Sequence, residues 1–208
     1  MMKNETILEI VGKIADRISE EKLFLTELDN AIADGDHGIN MSRGFEAVKE
    51  KLSGADIAVP ADLFKLVGMT LVSTVGGAAG PLYGTAFMNM AKALKDRTEL
   101  SLEDFLKALE GAVEGVKMRG KSTTGEKTML DAMVPSLEAM KAAFAEGKDT
   151  KAVLEAGVNA AREGVEYTKT IAATKGRASY IGERSIGHQD PGATSYTMML
   201  EEVKKAVV

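Results

Sequence analysis

The sequence predicts an all-α fold, a bundle or barrel of about eight antiparallel up-and-down helices. Three observations lead there. Apolar residues recur at three-and-four spacing through most of the chain. The same segments are rich in Ala, Leu, Met, Glu and Lys, the strong helix formers. Strand-like alternation is scarce, because the β-branched residues are scattered inside helical patterns. The loops between these segments are short, and short connections make neighbouring helices antiparallel.

In chain order, the periodic segments cover residues 5–22, 61–75, 81–95, 102–118, 127–145, 150–171 and 192–207, with shorter helices at 23–32 and 39–52. The clearest is "SLEDFLKALEGAVEGVKM", in which Leu102, Phe105, Leu106, Leu109, Val113 and Val116 fall on one face. Ser101 with Asp104 has the spacing of a capping box at its start. No linker, internal repeat or low-complexity segment divides the 208 residues, so the expectation is one domain spanning 1–208.

Apolar residues make up 45% and charged residues 27%, a globular composition rather than a disordered one. No apolar run reaches the roughly 18 residues that span a bilayer. The opening "MMKNETILEIVGK" lacks the pattern of a signal peptide. The absence of cysteine excludes disulfides and thiolate metal sites. Together these predict a cytoplasmic protein without a membrane partner. A net charge of −5 with no basic block and no tryptophan sets nucleic acid aside as well.

Glycine costs up to about 1 kcal/mol inside a helix relative to alanine, yet the chain holds 21. Many fall in four clusters at helix junctions: "DGDHG", "GGAAGPLYG", "RGKSTTGEK" and "KGRASYIGERSIGHQDPG". Alternate junctions of an antiparallel bundle lie at one end, so these loops can meet in one site. Both histidines of the chain, His37 and His188, lie in the clusters.

The first cluster sits in "DNAIADGDHGIN", where Asp29 is expected near the end of a short helix and Asp34 and Asp36 in the following loop. Gly35 and Gly38 allow a sharp turn with positive φ that brings the carboxylates together. Two carboxylates ~4 Å apart repel by roughly 4 kcal/mol at an effective dielectric near 20. A cation or a raised pKa must relieve that repulsion. Hard carboxylate oxygens select Mg²⁺, Mn²⁺ or Ca²⁺ over zinc. The EF-hand calcium pattern fails, because Gly38 holds its third ligand position and Phe45 stands where its glutamate belongs. Magnesium held for a phosphate ligand fits better than a set of solvated loop acids.

"GVKMRGKS", Gly115 to Ser122, literally satisfies the P-loop pattern. That mechanism needs a strand before the loop and a helix directly after it. Here a helix precedes and "TTGEK" follows, so a P-loop is rejected. In "GGAAGPLYGT", Pro81 suits the first turn of a helix whose N–H groups could face an anion. The arrangement recurs in "GHQDPGATS", where Asp190 can cap, Pro191 opens a helix, and Thr194 and Ser195 add hydroxyls. Arg177 is a candidate phosphate clamp and His37 a candidate general base or phosphate donor.

"LDNAIADGDHGINM", "GGAAGPLYGTAF", "GEKTMLDA" and "GRASYIGERSIGHQDPGATS" resemble, over nearly the whole chain, the nucleotide-binding L subunit of bacterial dihydroxyacetone kinase, the DhaL family. The resemblance implies a barrel of eight antiparallel helices with two Mg²⁺ held by Asp29, Asp34 and Asp36. It implies nucleotide contacts at His37, Gly38, Ile39, Asn40, Ala78, Ala79, Gly120, Met129, Arg177, Asp190, Pro191 and Gly192, with Arg177 as the catalytic group. Many relatives carry serine where Ala79 stands, which leaves only a backbone N–H for phosphate there. The chain is too short to include the domain that binds dihydroxyacetone. It therefore resembles the subunit of the phosphoenolpyruvate-dependent system, in which bound ADP is rephosphorylated by a phosphohistidine on an M subunit. The resulting ATP then serves dihydroxyacetone on a K subunit. A homodimer is compatible with the sequence.

Three carboxylates and an ADP of about −3 sum to about −6, which two Mg²⁺ reduce to roughly −2. The rival readings are a non-catalytic nucleotide- or metal-sensing module, and a kinase subunit serving a different small hydroxyketone.

Overall fold

The computed structural model describes residues 1–207. Nine α-helices are found among them: α1 (Asn4–Glu20), α2 (Lys22–Asn30), α3 (His37–Ser53), α4 (Pro60–Thr74), α5 (Ala79–Ala93), α6 (Leu102–Gly120), α7 (Leu130–Ala145), α8 (Thr150–Thr168) and α9 (Pro191–Val207). The order of packing is a closed ring. α1 packs on α3, each helix from α3 to α8 packs on its successor, and α9 returns to α1. α2 follows α1 after the single residue Glu21 and packs against α3 and α9. Eight staves plus this short extension account for the nine helices. An isolated antiparallel bridge joins Met2 to Leu100. No helix among the described residues is long and apolar enough to cross a membrane.

Local chemistry sets most boundaries. Ser101 accepts from the Asp104 N–H at 3.0 Å while the Asp104 carboxylate receives the Ser101 N–H, the anticipated capping box of α6. Asp149 caps α8 through the Ala152 N–H at 2.8 Å, and proline starts α4 and α9. Two boundaries differ by three residues from the sequence reading, and the others by less. α7 begins at Leu130 rather than at residue 127, because Asp131 draws the N–H groups of Gly125 and Thr128 into a turn. α8 ends at Thr168, and the loop beyond it folds two 3-10 turns, Arg177–Tyr180 and Gly182–Ser185, where only loop was expected.

All nine helices contribute to one apolar core. Its aromatic centre joins α3, α4 and α5. Phe45 meets Phe87 edge-on with centroids 6.5 Å apart, and Phe87 stacks on Phe64 at 6.1 Å. Phe45 is completely buried. The even number of staves puts four junctions at one end of the ring: residues 31–36, 75–78, 121–129 and 169–190. A second, smaller apolar contact at that end, Ile32 with Ala173 and Ala178, ties the first of these loops to the last.

Removing the central ring should be costly. Phe45→Ala is expected to lower stability by about 3–5 kcal/mol in urea unfolding. A loss below about 1 kcal/mol would show that the α3–α4–α5 contact is not the centre of the core.

Candidate functional site

The four junctions enclose a cavity of about 630 Å³. Asp29 stands on the last turn of α2, while Asp34 and Asp36 follow in the loop. One oxygen from each carboxylate lies within 4.8 Å of the others. Gly35 makes the turn with φ +71°, as its sequence context suggested. Gly38 does not. It lies in the first turn of α3, where a Cβ would fall 2.0 Å from the Lys22 carbonyl, so its smallness lets α3 cross α2 closely.

Asp29 is buried, and its Oδ2 accepts the N–H groups of Asp36 (2.9 Å) and His37 (3.2 Å). Burial pushes its pKa up. The two backbone donors oppose that shift, and the charges of Asp34 and Asp36 add to it. Asp34 meets the Arg177 guanidinium at 3.0 Å across the mouth of the cavity. Such an exposed pair is worth under about 1 kcal/mol, so it yields readily to a cation or a phosphate. An all-carboxylate donor set of this compactness fits Mg²⁺, which takes hard oxygens and leaves positions for water and phosphate. Asp29, Asp34 and Asp36 are the residues that would hold it.

The start of α5 forms another part of the cavity wall. Gly76, Gly77, Ala78, Ala79 and Pro81 line it, and no side chain caps the helix there. Its first N–H groups therefore keep their capacity for an anion. Gly120, Met129, Asp190, Pro191 and Gly192 also line the cavity, as does His37. Ile39 and Asn40 do not: Ile39 points out to solvent and Asn40 accepts a hydrogen bond from Arg43 at 2.8 Å. Any contribution of Gly38 and Ile39 comes from backbone N–H groups in the first turn of α3, whereas the Asn40 N–H is already given to the Asp36 carbonyl at 2.9 Å.

His37 faces inward. Its Nε2 lies 3.0 Å from Ser195 Oγ, and Ser195 pairs with the Tyr83 hydroxyl at 2.7 Å. Burial lowers the His37 pKa to about 4, so the ring is neutral at pH 7. Ser195 is fully buried and cannot reach a substrate, so this His–Ser–Tyr chain braces α3 against α5 and α9 and is no nucleophilic triad. The sequence could not pair residues 158 positions apart. Arg119, Lys127 and Lys175 also line the cavity and were not singled out. The literal P-loop stretch lies within α6 up to Gly120, with Lys121 as its left-handed C-cap at φ 48°. With a helix where the P-loop needs a strand, that reading is excluded on geometry.

Asp190 caps α9 by accepting the Ala193 N–H at 2.6 Å. Burial pushes its pKa up to about 7. Asp131 and Asp29 raise it further, while the Ala193 N–H and Lys127 oppose them.

This is an all-α barrel with a compact acidic site facing an uncapped helix start. The profile of the DAK2 domain matches residues 31–205, and the chain belongs to that family. Within it the chain is a DhaL-type subunit, which places it among the kinase phosphotransferases. It is 45% identical, over 97% of its length and 96% of the relative's, to "PEP-dependent dihydroxyacetone kinase 1, ADP-binding subunit DhaL" of Listeria innocua. It is 44% identical, over 94% of its length and 93% of the relative's, to the ADP-binding subunit DhaL of the Escherichia coli PEP-dependent dihydroxyacetone kinase. The fold resembles that of the C. freundii dihydroxyacetone kinase in complex with AMP-PNP and Mg²⁺, with a TM-score of 0.75 at 24% identity. The match covers 97% of this chain and 34% of that one.

A folded carboxyl with a raised pKa binds its proton more tightly than the unfolded chain does. Stability is therefore lost as pH rises from the unfolded value near 3.9 through about 7. Asp190→Asn keeps the acceptor for Ala193 and removes the charge. Relative to the parent, the nucleotide-free variant should gain on the order of 1–3 kcal/mol between about pH 4.5 and 7.5 in urea unfolding. An unchanged difference would contradict the burial argument.

Proposed function

We propose that this chain is the ADP-binding subunit of a phosphoenolpyruvate-dependent dihydroxyacetone kinase. ADP is held through two Mg²⁺ on Asp29, Asp34 and Asp36. It is rephosphorylated in place by a phosphohistidine of an M subunit and delivers the phosphoryl group to dihydroxyacetone on a K subunit. The observation that carries the proposal is the triad of carboxylate oxygens within 4.8 Å of one another, lining the same cavity as the uncapped start of α5. The DhaL relatives, similar over nearly their whole length, support the choice of nucleotide and reaction.

The chain's own residues divide the work. The aspartates gather positive charge, and when bound Mg²⁺ supplies charge neutralisation and Lewis-acid polarisation of the phosphates. The first N–H groups of α5 offer donors to phosphate oxygens, whereas α9 opens on Pro191 and its Ala193 N–H is held by Asp190. Leu82, Val116 and Met129 give the cavity an apolar wall suited to a base. Arg177, mostly exposed and held only by Asp34, is free to turn toward a transferring phosphoryl group and spread its charge. His37, whose Nε2 is engaged by Ser195 Oγ, carries no phosphoryl group in this scheme, so no covalent intermediate forms on this chain. The work is positioning and electrostatics.

Calorimetric titration of purified variants with ADP in Mg²⁺ ranks the residues. Asp34→Ala and Asp36→Ala are expected to weaken binding by about 100-fold or more, and Lys121→Ala by less than about threefold. The reverse order would contradict the assignment of the metal to the aspartates. Binding without phosphoryl transfer, when the K and M subunits are supplied, would favour a sensing module.

A further inference from the structure

Lys127 is the one buried cation among the described residues, at 1% exposure, and nothing in the nucleotide scheme uses it. Its backbone is left-handed at φ 60°, a conformation that non-glycine residues rarely hold. The side chain runs from the 121–129 loop to the base of the 169–190 loop. There its Nζ donates to the carbonyl of Thr168, the last residue of α8, to that of His188, and at 3.4 Å to that of Ile171. Three ammonium donors thus meet three carbonyls, which leaves none for a phosphate.

The same knot has two further ties. The Gly187 N–H donates to the Lys169 carbonyl at 2.8 Å, and the Asp190 N–H donates to Thr168 Oγ1 at 2.9 Å. Both mouths of the loop therefore converge on one ammonium. Between them lies Arg177, and immediately after them comes the Asp190–Gly192 start of α9. The Thr174 N–H also meets the Glu126 carbonyl beside Lys127, at 3.3 Å.

Burying an ammonium costs several kcal/mol unless it is well paired. Burial lowers the Lys127 pKa, and the charges of Asp190 and Asp131 oppose that shift. The negative end of the α8 dipole adds to their effect. A neutral side chain would fill this space at less cost, but it could not hold three carbonyls on one point.

We propose that Lys127 is a positioning residue whose ammonium clamps the two ends of the 169–190 loop and so sets Arg177 and the α9 start at the cavity that the three aspartates line. The clamp stands on the geometry alone. Its service to nucleotide binding rests on the function proposed above.

Hydrogen exchange of the full chain, read by mass spectrometry, tests the clamp directly. In Lys127→Ala, and in Lys127→Met with its uncharged stem of similar length, exchange within 169–190 should rise by about tenfold or more while α4 and α5 are unchanged. Propylammonium, which replaces the missing stem and charge, should restore protection to the alanine variant, and 1-propanol should not. If the alanine variant does not fold, the methionine variant carries the comparison. Unchanged exchange in the loop, or loosening spread evenly over the whole barrel, would overturn the clamp. Affinity for Mg²⁺–ADP should fall by about 10-fold or more in both variants and recover with propylammonium in the alanine variant. Loosened loops with undiminished affinity would overturn the positioning role. A parent chain that binds no Mg²⁺–ADP would sink the functional reading instead, while the exchange result still decides the clamp.

Discussion

Three carboxylates with oxygens within 4.8 Å of one another are the constraint around which this barrel is arranged. Each pair at such a distance repels by roughly 3–4 kcal/mol at an effective dielectric near 20. Burial of Asp29 sharpens the conflict, because the ionised form loses water. The protein offers partial relief from its own atoms. Two backbone N–H groups point at Asp29, and Arg177 leans on Asp34. These partners leave the cluster net negative and open to the cavity, a pre-formed seat for divalent cations.

The rest of the fold serves to bring four distant loops to that seat. A closed ring of antiparallel helices places alternate junctions at one end without any special pairing. The core then fixes their spacing through side chains such as Phe45 and Phe87. Precision at the site comes from a second layer of polar ties. His37, Ser195 and Tyr83 lock α3 to α9 and α5, Asp131 shapes the turn before α7, and Lys127 gathers the ends of the long loop. By contrast, the α5 start is left uncapped, and Arg177 is tied only by its exposed pair with Asp34. These donors keep binding capacity that a fully satisfied structure would lack.

Much of this was legible in the residues. Helical period marked every stave, because each buries one face against its neighbours, and the Ser101–Asp104 box and the Asp190 cap were readable from spacing alone. The aspartate cluster was visible because its three members lie within one turn and loop. What stayed hidden depends on contacts across the chain. Ser195 and His37 meet only after the ring closes. Lys127 looked like one more loop lysine, since nothing local reveals that its acceptors are carbonyls 41 and 61 residues away. Gly38 was read as a turn glycine, whereas the nearby Lys22 carbonyl is what demands its size. The late start of α7 follows from Asp131, whose carboxylate outcompetes helix propensity for two N–H groups.

The central claim is that the acids hold the cations that hold the phosphates. It is tested most directly by titrating the parent chain, stripped of nucleotide, with ADP in Mg²⁺ and again in excess chelator. The account predicts binding in Mg²⁺ that weakens by about 100-fold or more when the metal is removed, because three carboxylates and a diphosphate then face each other uncompensated. Equal affinity in both conditions would contradict it, and would mean that the aspartates serve something other than the nucleotide.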